Sequence, residues 1–203
     1  PWASADMQVD RDIDQANALL DQGGWRRGAD GVREKDGLRC SFEILYASGD
    51  SVRQALSNEF ANQLAQVGIE VTPRGASWDE IYPQEFCTPV MWGWGSNSPI
   101  DLYSLNYSSS EGNYACYESS VCDQYLDTAL AQAEVGQSYA YWQAAQWDGE
   151  QGFAPQGDAT WVWLVNVDHL YFKRDGLNVA DQKPHPHGHG WSLANNVDQW
   201  TWS

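Results

Sequence analysis

Basic residues are scarce: 11 Lys+Arg stand against 28 Asp+Glu, a formal net charge of −17 in 203 residues, and no Lys or Arg occurs from Gly75 to Phe172. A phosphate backbone is held by basic side chains that displace counterions, so nucleic acid is excluded as a partner. The acidic excess reads first as the solubility of a secreted surface and second as attraction for a cationic solute. Long apolar runs are also missing. No stretch reaches the roughly 20 apolar residues that span a bilayer, and no basic-then-apolar leader precedes Pro1, so the chain reads as a mature or truncated form. No nucleophile elbow, phosphate loop or HExxH motif occurs. The carboxylate pairs Asp79/Glu80 and Asp148/Glu150 fall on polar helix starts or turns rather than at apolar strand ends. No catalysis and no cofactor are therefore expected.

Cysteine is limited to Cys40, Cys87, Cys116 and Cys122, which match neither a CxxC redox pattern nor a two-pair zinc pattern. An even count in an extracytoplasmic protein favours disulfides, with free buried thiols as the alternative. Cys116 and Cys122 lie close enough across Tyr-Glu-Ser-Ser to bridge a loop to a helix start. Cys40 and Cys87 pair if the strands they precede are neighbours.

What is present is a core's worth of apolar residues, 42% hydrophobic with twelve tryptophans. Ile13, Ala16, Leu19 and Leu20 fall at helical spacing behind Asp12 as a cap and end at Gly23-Gly24. Asp36-Gly37 marks a hairpin turn whose second arm runs from Leu38 to Tyr46. Ser48 to Ser51 then caps a helix with the apolar positions Val52, Leu56, Phe60, Leu64 and Val67, and Ile69 to Thr72 alternates as a strand. Ser77 and Glu80 form a capping box for a brief helix to Phe86, and Val90 to Trp94 supplies a third strand. The result is an α/β fold: a mainly parallel βαβαβ sheet flanked by helices in a three-layer lobe. Helices follow from Ser98-Pro99, near Val121 to Ala133 and from Ser138 to Asp148, and the chain is extended again from Trp161 to Lys173.

In open α/β sheets, ligands sit outside the carboxyl ends of the strands. Trp92 and Trp94 alternate on the third strand and so share a face, and the loop beside them is rich in donors. Gly95 permits close backbone approach, while Ser96, Asn97 and Ser98 offer donors at a helix N-terminus, which suits a carboxylate or peptide carbonyl. These residues are the candidate ligand-binding lip, against the alternative that the tryptophans are core. A rival site is the alternating His185, His187 and His189, which either converge on a metal or bond to backbone within a structured loop. A second rival is a secreted carbohydrate-binding domain, for which twelve tryptophans offer stacking platforms.

Several segments together resemble the carboxyl-terminal lobe of the oligopeptide, dipeptide and nickel class of solute-binding proteins that serve ABC importers. They are Asp14 to Trp25, Asp30 to Leu38 leading into Phe42 to Tyr46, Gln63 to Val71, and Met91 to Trp94. The resemblance implies a periplasmic-binding-protein-like type II fold, with residues 1–203 as a single ligand-binding lobe whose amino-terminal lobe is missing. It implies capture of an extracytoplasmic solute, an oligopeptide or related small molecule, for a membrane permease, by a cell-surface lipoprotein or periplasmic protein. A metal chelate of the nickel type is the alternative solute. In the peptide-binding members the loop after the strand matching Val90 to Trp94 carries an aspartate for the peptide's amino terminus. In this chain that position falls at Gly95; either Asp101, one helical turn on, substitutes for it, or the solute is a modified peptide, a sugar or a chelated metal.

Overall fold

The structure, a computed structural model, describes residues 1–5, 9–84, 88–94, 98–168, 170–181 and 193–203. The chain forms two compact units, Gln8–Gly93 and Pro1–Met7 together with Trp94–Ser203.

The first unit opens with α1 (Ile13–Gln22), capped as expected by Asp12, whose carboxylate accepts from the Gln15 N–H. Three short strands, β1 (Arg26–Arg27), β2 (Arg33–Lys35) and β3 (Leu38–Arg39), form an antiparallel sheet. Its β2–β3 turn is the expected hairpin: Asp36 and Gly37 both have positive φ, 52° and 80°.

β4 (Ser41–Ala47) then pairs in parallel with β5 (Glu70–Ala76) through the crossover helix α2 (Ser51–Gln66). Pro73 has no N–H to donate, which suits β5 to the edge of a sheet. On the other side of β4, Leu45 donates to the Pro89 carbonyl at 2.9 Å and accepts from the Met91 N–H at 2.7 Å. The expected third strand is therefore parallel and adjacent to β4 but contracts to a bridge at Val90.

α2 is capped by Asp50, which accepts from the Arg53 N–H. Its inward stripe differs from the sequence expectation. Val52 is exposed, and Arg53, Leu56, Ser57, Phe60 and Leu64 are turned inward, with Ser57 fully buried. The core of this unit gathers Leu45, Ala47, Ala76 and Ile81, with Trp78, Val90 and Trp92 packed against it. α3 (Trp78–Ile81) and a 3-10 turn, Tyr82–Gln84, follow β5. The expected Ser77/Glu80 capping box does not form: Ser77 makes no side-chain cap bond, and Glu80 pairs instead with Arg74, which also holds Glu43.

Arg33 ties this unit together. Its guanidinium is almost fully buried, yet each of its three nitrogens finds an acceptor: Nε on the Val67 carbonyl, Nη1 on Asp21 and the Trp25 carbonyl, and Nη2 on Asn17. One side chain thus joins α1, the loop after it, and the turn that ends α2.

The second unit contains α4 (Ile100–Asn106), α5 (Ser120–Leu130) and α6 (Val135–Gln146). α5 and α6 pack around Tyr117, Cys122, Leu126, Ala129, Trp142, Ala145 and Phe153. A small antiparallel pair, β6 (Leu177–Asn178) and β7 (Thr201–Trp202), completes it. No described helix is long and apolar enough to cross a membrane.

The disulfide expectation is corrected here. Cys116, exposed on a turn with φ of 49°, and Cys122, fully buried on α5, are separate free thiols. The Cys122 sulfur lies 3.1 Å from the Tyr117 hydroxyl, which donates to Asp158 at 2.9 Å, and 3.6 Å from the Ala145 carbonyl, so it points into the α5–α6 core. Cys40 is likewise free and half-buried, with its thiol pushed up by burial; Cys87 lies outside the described residues.

Two outcomes follow from this core. Arg33→Leu strands the Val67 and Trp25 carbonyls without their donor, and a loss of about 3 kcal/mol is expected from urea denaturation; a loss under about 1 kcal/mol would contradict the tie. The hydrogen bond from Arg33 holds the Asp21 carboxyl below its ordinary value. Its stabilisation is therefore complete above the ordinary carboxylate range and fades as pH falls through the lowered folded value. Asp21→Asn is expected to flatten the acid limb of the stability profile, measured by thermal melts across pH.

Candidate functional site: the carboxyl edge of the parallel strands

β4 and β5 run parallel and in register to Ala47 and Ala76, and Val90 leads beside them to Trp92. The segments leaving this edge therefore emerge together, and each carries a large side chain. From the start of α2 comes Arg53; from α3 and the turn after it come Trp78 and Tyr82; from the third segment comes Trp92.

These side chains form one cluster. Trp78 stacks on Tyr82 with ring centroids 5.4 Å apart at 29°, and Trp92 meets Trp78 edge-on at 5.3 Å and 78° and Tyr82 at 6.3 Å and 68°. Arg53 lays its guanidinium over Trp78, 5.4 Å from the ring centroid, and Nη1 lies 3.5 Å from Asp50. Gly93 makes room for it: a Cβ there would sit 3.0 Å from Arg53 Nη2. The edge thus offers an aromatic wall beside a planar cation with one ion pair among the described residues, a combination suited to an apolar group next to a carboxylate or carbonyl.

The residues singled out from sequence are placed as follows. Trp92 is half-buried in this cluster. Trp94, Ser98 and Asp101 belong to the second unit. Trp94 is exposed, Ser98 Oγ accepts from the Ile100 N–H at 3.3 Å, and Asp101 is half-buried in the first turn of α4. Gly95, Ser96 and Asn97 lie outside the described residues, as do His185, His187 and His189. Among the described residues no group of three His, Cys, Asp or Glu side chains is placed to hold a metal.

Sequence reasoning missed Arg53, Trp78 and Tyr82. Two signals pointed toward two of them: Trp78 lies just beyond the strand that ends at Ala76, and Arg53 is a rare cation at the mouth of a strand-to-helix connection.

Comparison with known proteins bears on this edge. Residues 1–115 match the family described as bacterial extracellular solute-binding proteins, family 5 Middle. The chain belongs to this family. It is 33% identical over 181 residues to Protein XP55 of Streptomyces lividans, covering 86% of this chain and 32% of that protein. It is 30% identical over 125 residues to the oligopeptide-binding protein AppA of Bacillus subtilis, covering 57% and 23%. The chain thus spans about a third or less of the length of these curated relatives. The solved structure of Bacillus subtilis AppA in complex with a nonapeptide matches 98% of this chain and 40% of its own, with a TM-score of 0.68 at 19% identity. NikZ from Campylobacter jejuni in complex with Ni(L-His) matches 66% of this chain and 29% of its own, with a TM-score of 0.61 at 22% identity. Both likenesses are of fold, and they agree with the type II α/β class read from sequence.

The free thiols differ in reach. Under native, non-reducing conditions maleimide is expected to label Cys116 readily and to leave Cys122 unmodified until the protein unfolds, as read by peptide mass spectrometry. A Cys116–Cys122 cross-linked peptide would contradict the structure.

Proposed function

We propose that residues 1–203 are one lobe of a longer extracytoplasmic solute-binding protein that captures a peptide-class solute and presents it to the membrane permease of an ABC importer. The observation that carries this reading is the Arg53–Trp78–Tyr82–Trp92 cluster at the carboxyl edge of the parallel strands, the edge at which open α/β sheets receive ligands. Family membership supports the same reading.

In this reading the lobe closes with an amino-terminal lobe around the solute, as hinged two-lobed binders do. The aromatic wall covers apolar side chains of the ligand and Arg53 meets its carboxylate or carbonyl oxygens. Trp94, Gly95, Ser96, Asn97, Ser98 and Asp101 are the further ligand-contact candidates of this reading, Asp101 for a ligand amino group. No bond in the solute is made or broken, so the lobe has no catalytic residue. A peptide suits an aromatic wall and a guanidinium better than a bare metal ion does, because a metal asks for a set of carboxylate, thiolate or imidazole donors. A nickel-type chelate remains the alternative solute for the same architecture, since a chelate presents carboxylates of its own.

Isothermal titration of the longer, two-lobed protein with a mixed peptide library, and separately with oligosaccharides, tests the reading. Saturable peptide binding is expected, weakened at least about tenfold by Trp78→Ala or Arg53→Ala and by the double change Trp94→Ala with Asn97→Ala, each measured below the variant's own melting temperature. Binding that none of these variants alters, or binding of oligosaccharides alone, would overturn it.

A further inference from the structure

α3 is a helix that cannot hold itself. Its four residues, Trp78–Ile81, fall far short of the length at which a helix is stable alone, and Ser77 caps it with no side-chain bond. Yet α3 and the 3-10 turn Tyr82–Gln84 carry two of the four side chains of the candidate ligand edge, Trp78 and Tyr82. Contacts outside the helix must therefore fix which way those rings face.

The hold has an apolar part and a directional part. Ile81 is fully buried in the core of the first unit, and Trp78 packs against that core. Apolar contact is not directional, so it sets how deep α3 lies and leaves its rotation about the buried residue open. The direction comes from Glu80. Its Oε1 accepts from Arg74 Nη1, while Arg74 Nε donates to Glu43 at 2.9 Å. Arg74 of β5 pairs in register with Leu45 of β4, and strand alternation puts Glu43 on the same face as Leu45. The guanidinium fork thus joins both strands to α3 through two carboxylates. The main chain of Glu80 extends the tie: its carbonyl accepts from Gln84 Nε2 at 2.9 Å, across the turn that carries Tyr82. Arg74 is also the last basic residue before the cation-free stretch from Gly75 to Phe172, so a carboxylate in α3 has to reach back along the chain for its partner.

We propose that Arg74 and Glu80 are positioning residues of the ligand edge: their pair fixes the rotation of α3 and with it the orientation of the Trp78 and Tyr82 rings. The inference rests on the reading of this edge as the ligand site, but its first readout involves no ligand. Absence of peptide binding would overturn that reading and leave the pair's hold on α3 to be decided by exchange; failure of the hold would leave the ligand edge itself untouched.

Residue-resolved hydrogen exchange in the longer, two-lobed protein reads the amides of residues 80 and 81, both of which donate to the Ser77 carbonyl. Glu80→Ala and Arg74→Ala are each expected to lower protection there at least about tenfold, and the double change no further than the weaker single variant, because both break one interaction. Glu80→Gln, which keeps an oxygen for Arg74 Nη1, is expected to stay within about threefold of the wild type. The melting temperature of all four is expected to move by less than about 3 °C, since the two side chains are exposed to 36% and 47% and such pairs add little to global stability. Titrated with the mixed peptide library, Glu80→Ala is expected to bind about fivefold more weakly and Glu80→Gln to recover, the mark of lost preorganisation. Unchanged protection at residues 80 and 81 would overturn the proposal, as would additive single effects, Glu80→Gln as poorly protected as Glu80→Ala, or peptide binding that Glu80→Ala leaves intact. An equal loss of protection at the Leu45 amide would also overturn it, by making the pair a general strut of the sheet.

Discussion

The structure of the first unit depends on β4 being hydrogen-bonded along both of its edges. Leu45 stands at the centre of that arrangement, fully buried, its residue position paired in register with Arg74 of β5 while its own N–H and C=O reach Pro89 and Met91. A parallel strand held from two sides aligns the ends of all three segments, because register in a parallel ladder leaves no freedom to slide one end past another without turning buried side chains to the wrong face. The Arg53, Trp78, Tyr82 and Trp92 cluster is a consequence of that alignment. None of these residues is near another of its partners from a different segment in sequence; the ladder brings them together.

Charge scarcity sharpens the same picture. With 11 basic residues in the chain, most described arginines of the first unit serve structure. Arg33 joins α1 to the turn after α2, Arg39 pairs with Asp30, Glu34 and Glu70, and Arg74 bridges Glu43 and Glu80. Arg53 is different in kind. Among the described residues it has one ion pair, at 3.5 Å, and its planar face lies over Trp78. That pair is half-buried and long, and the guanidinium's closest described packing is against the Trp78 ring.

Local features were legible in the sequence where a short-range rule governs them. Asp12 and Asp50 cap their helices, Asp36-Gly37 turns its hairpin, and strand, helix, strand from Leu38 to Thr72 is the parallel unit observed. Features decided by tertiary competition were not. The Ser77/Glu80 box was plausible by spacing, but Arg74 on the adjacent strand draws Glu80 away. Val52 fitted the apolar period of α2, yet the helix turns Arg53 inward because Trp78 offers its ring and Gly93 leaves space. The Cys116–Cys122 bridge was suggested by separation along the chain, whereas burial sends Cys122 into the core and the turn holds Cys116 outside it. Of the aromatic cluster, Trp92 was singled out from strand alternation; Trp78 carried only the local signal of following β5, and nothing in linear order ties Tyr82 to either.

The most direct test of this arrangement is residue-resolved native-state hydrogen exchange at the Leu45 and Met91 amides, which donate across the boundary between β4 and the third segment. Both are expected to be strongly protected and to open only with the β4–β5 ladder, in a single cooperative event. Near-unprotected exchange at Leu45 and Met91 while the β4–β5 ladder stays closed would contradict the shared edge on which the candidate site rests.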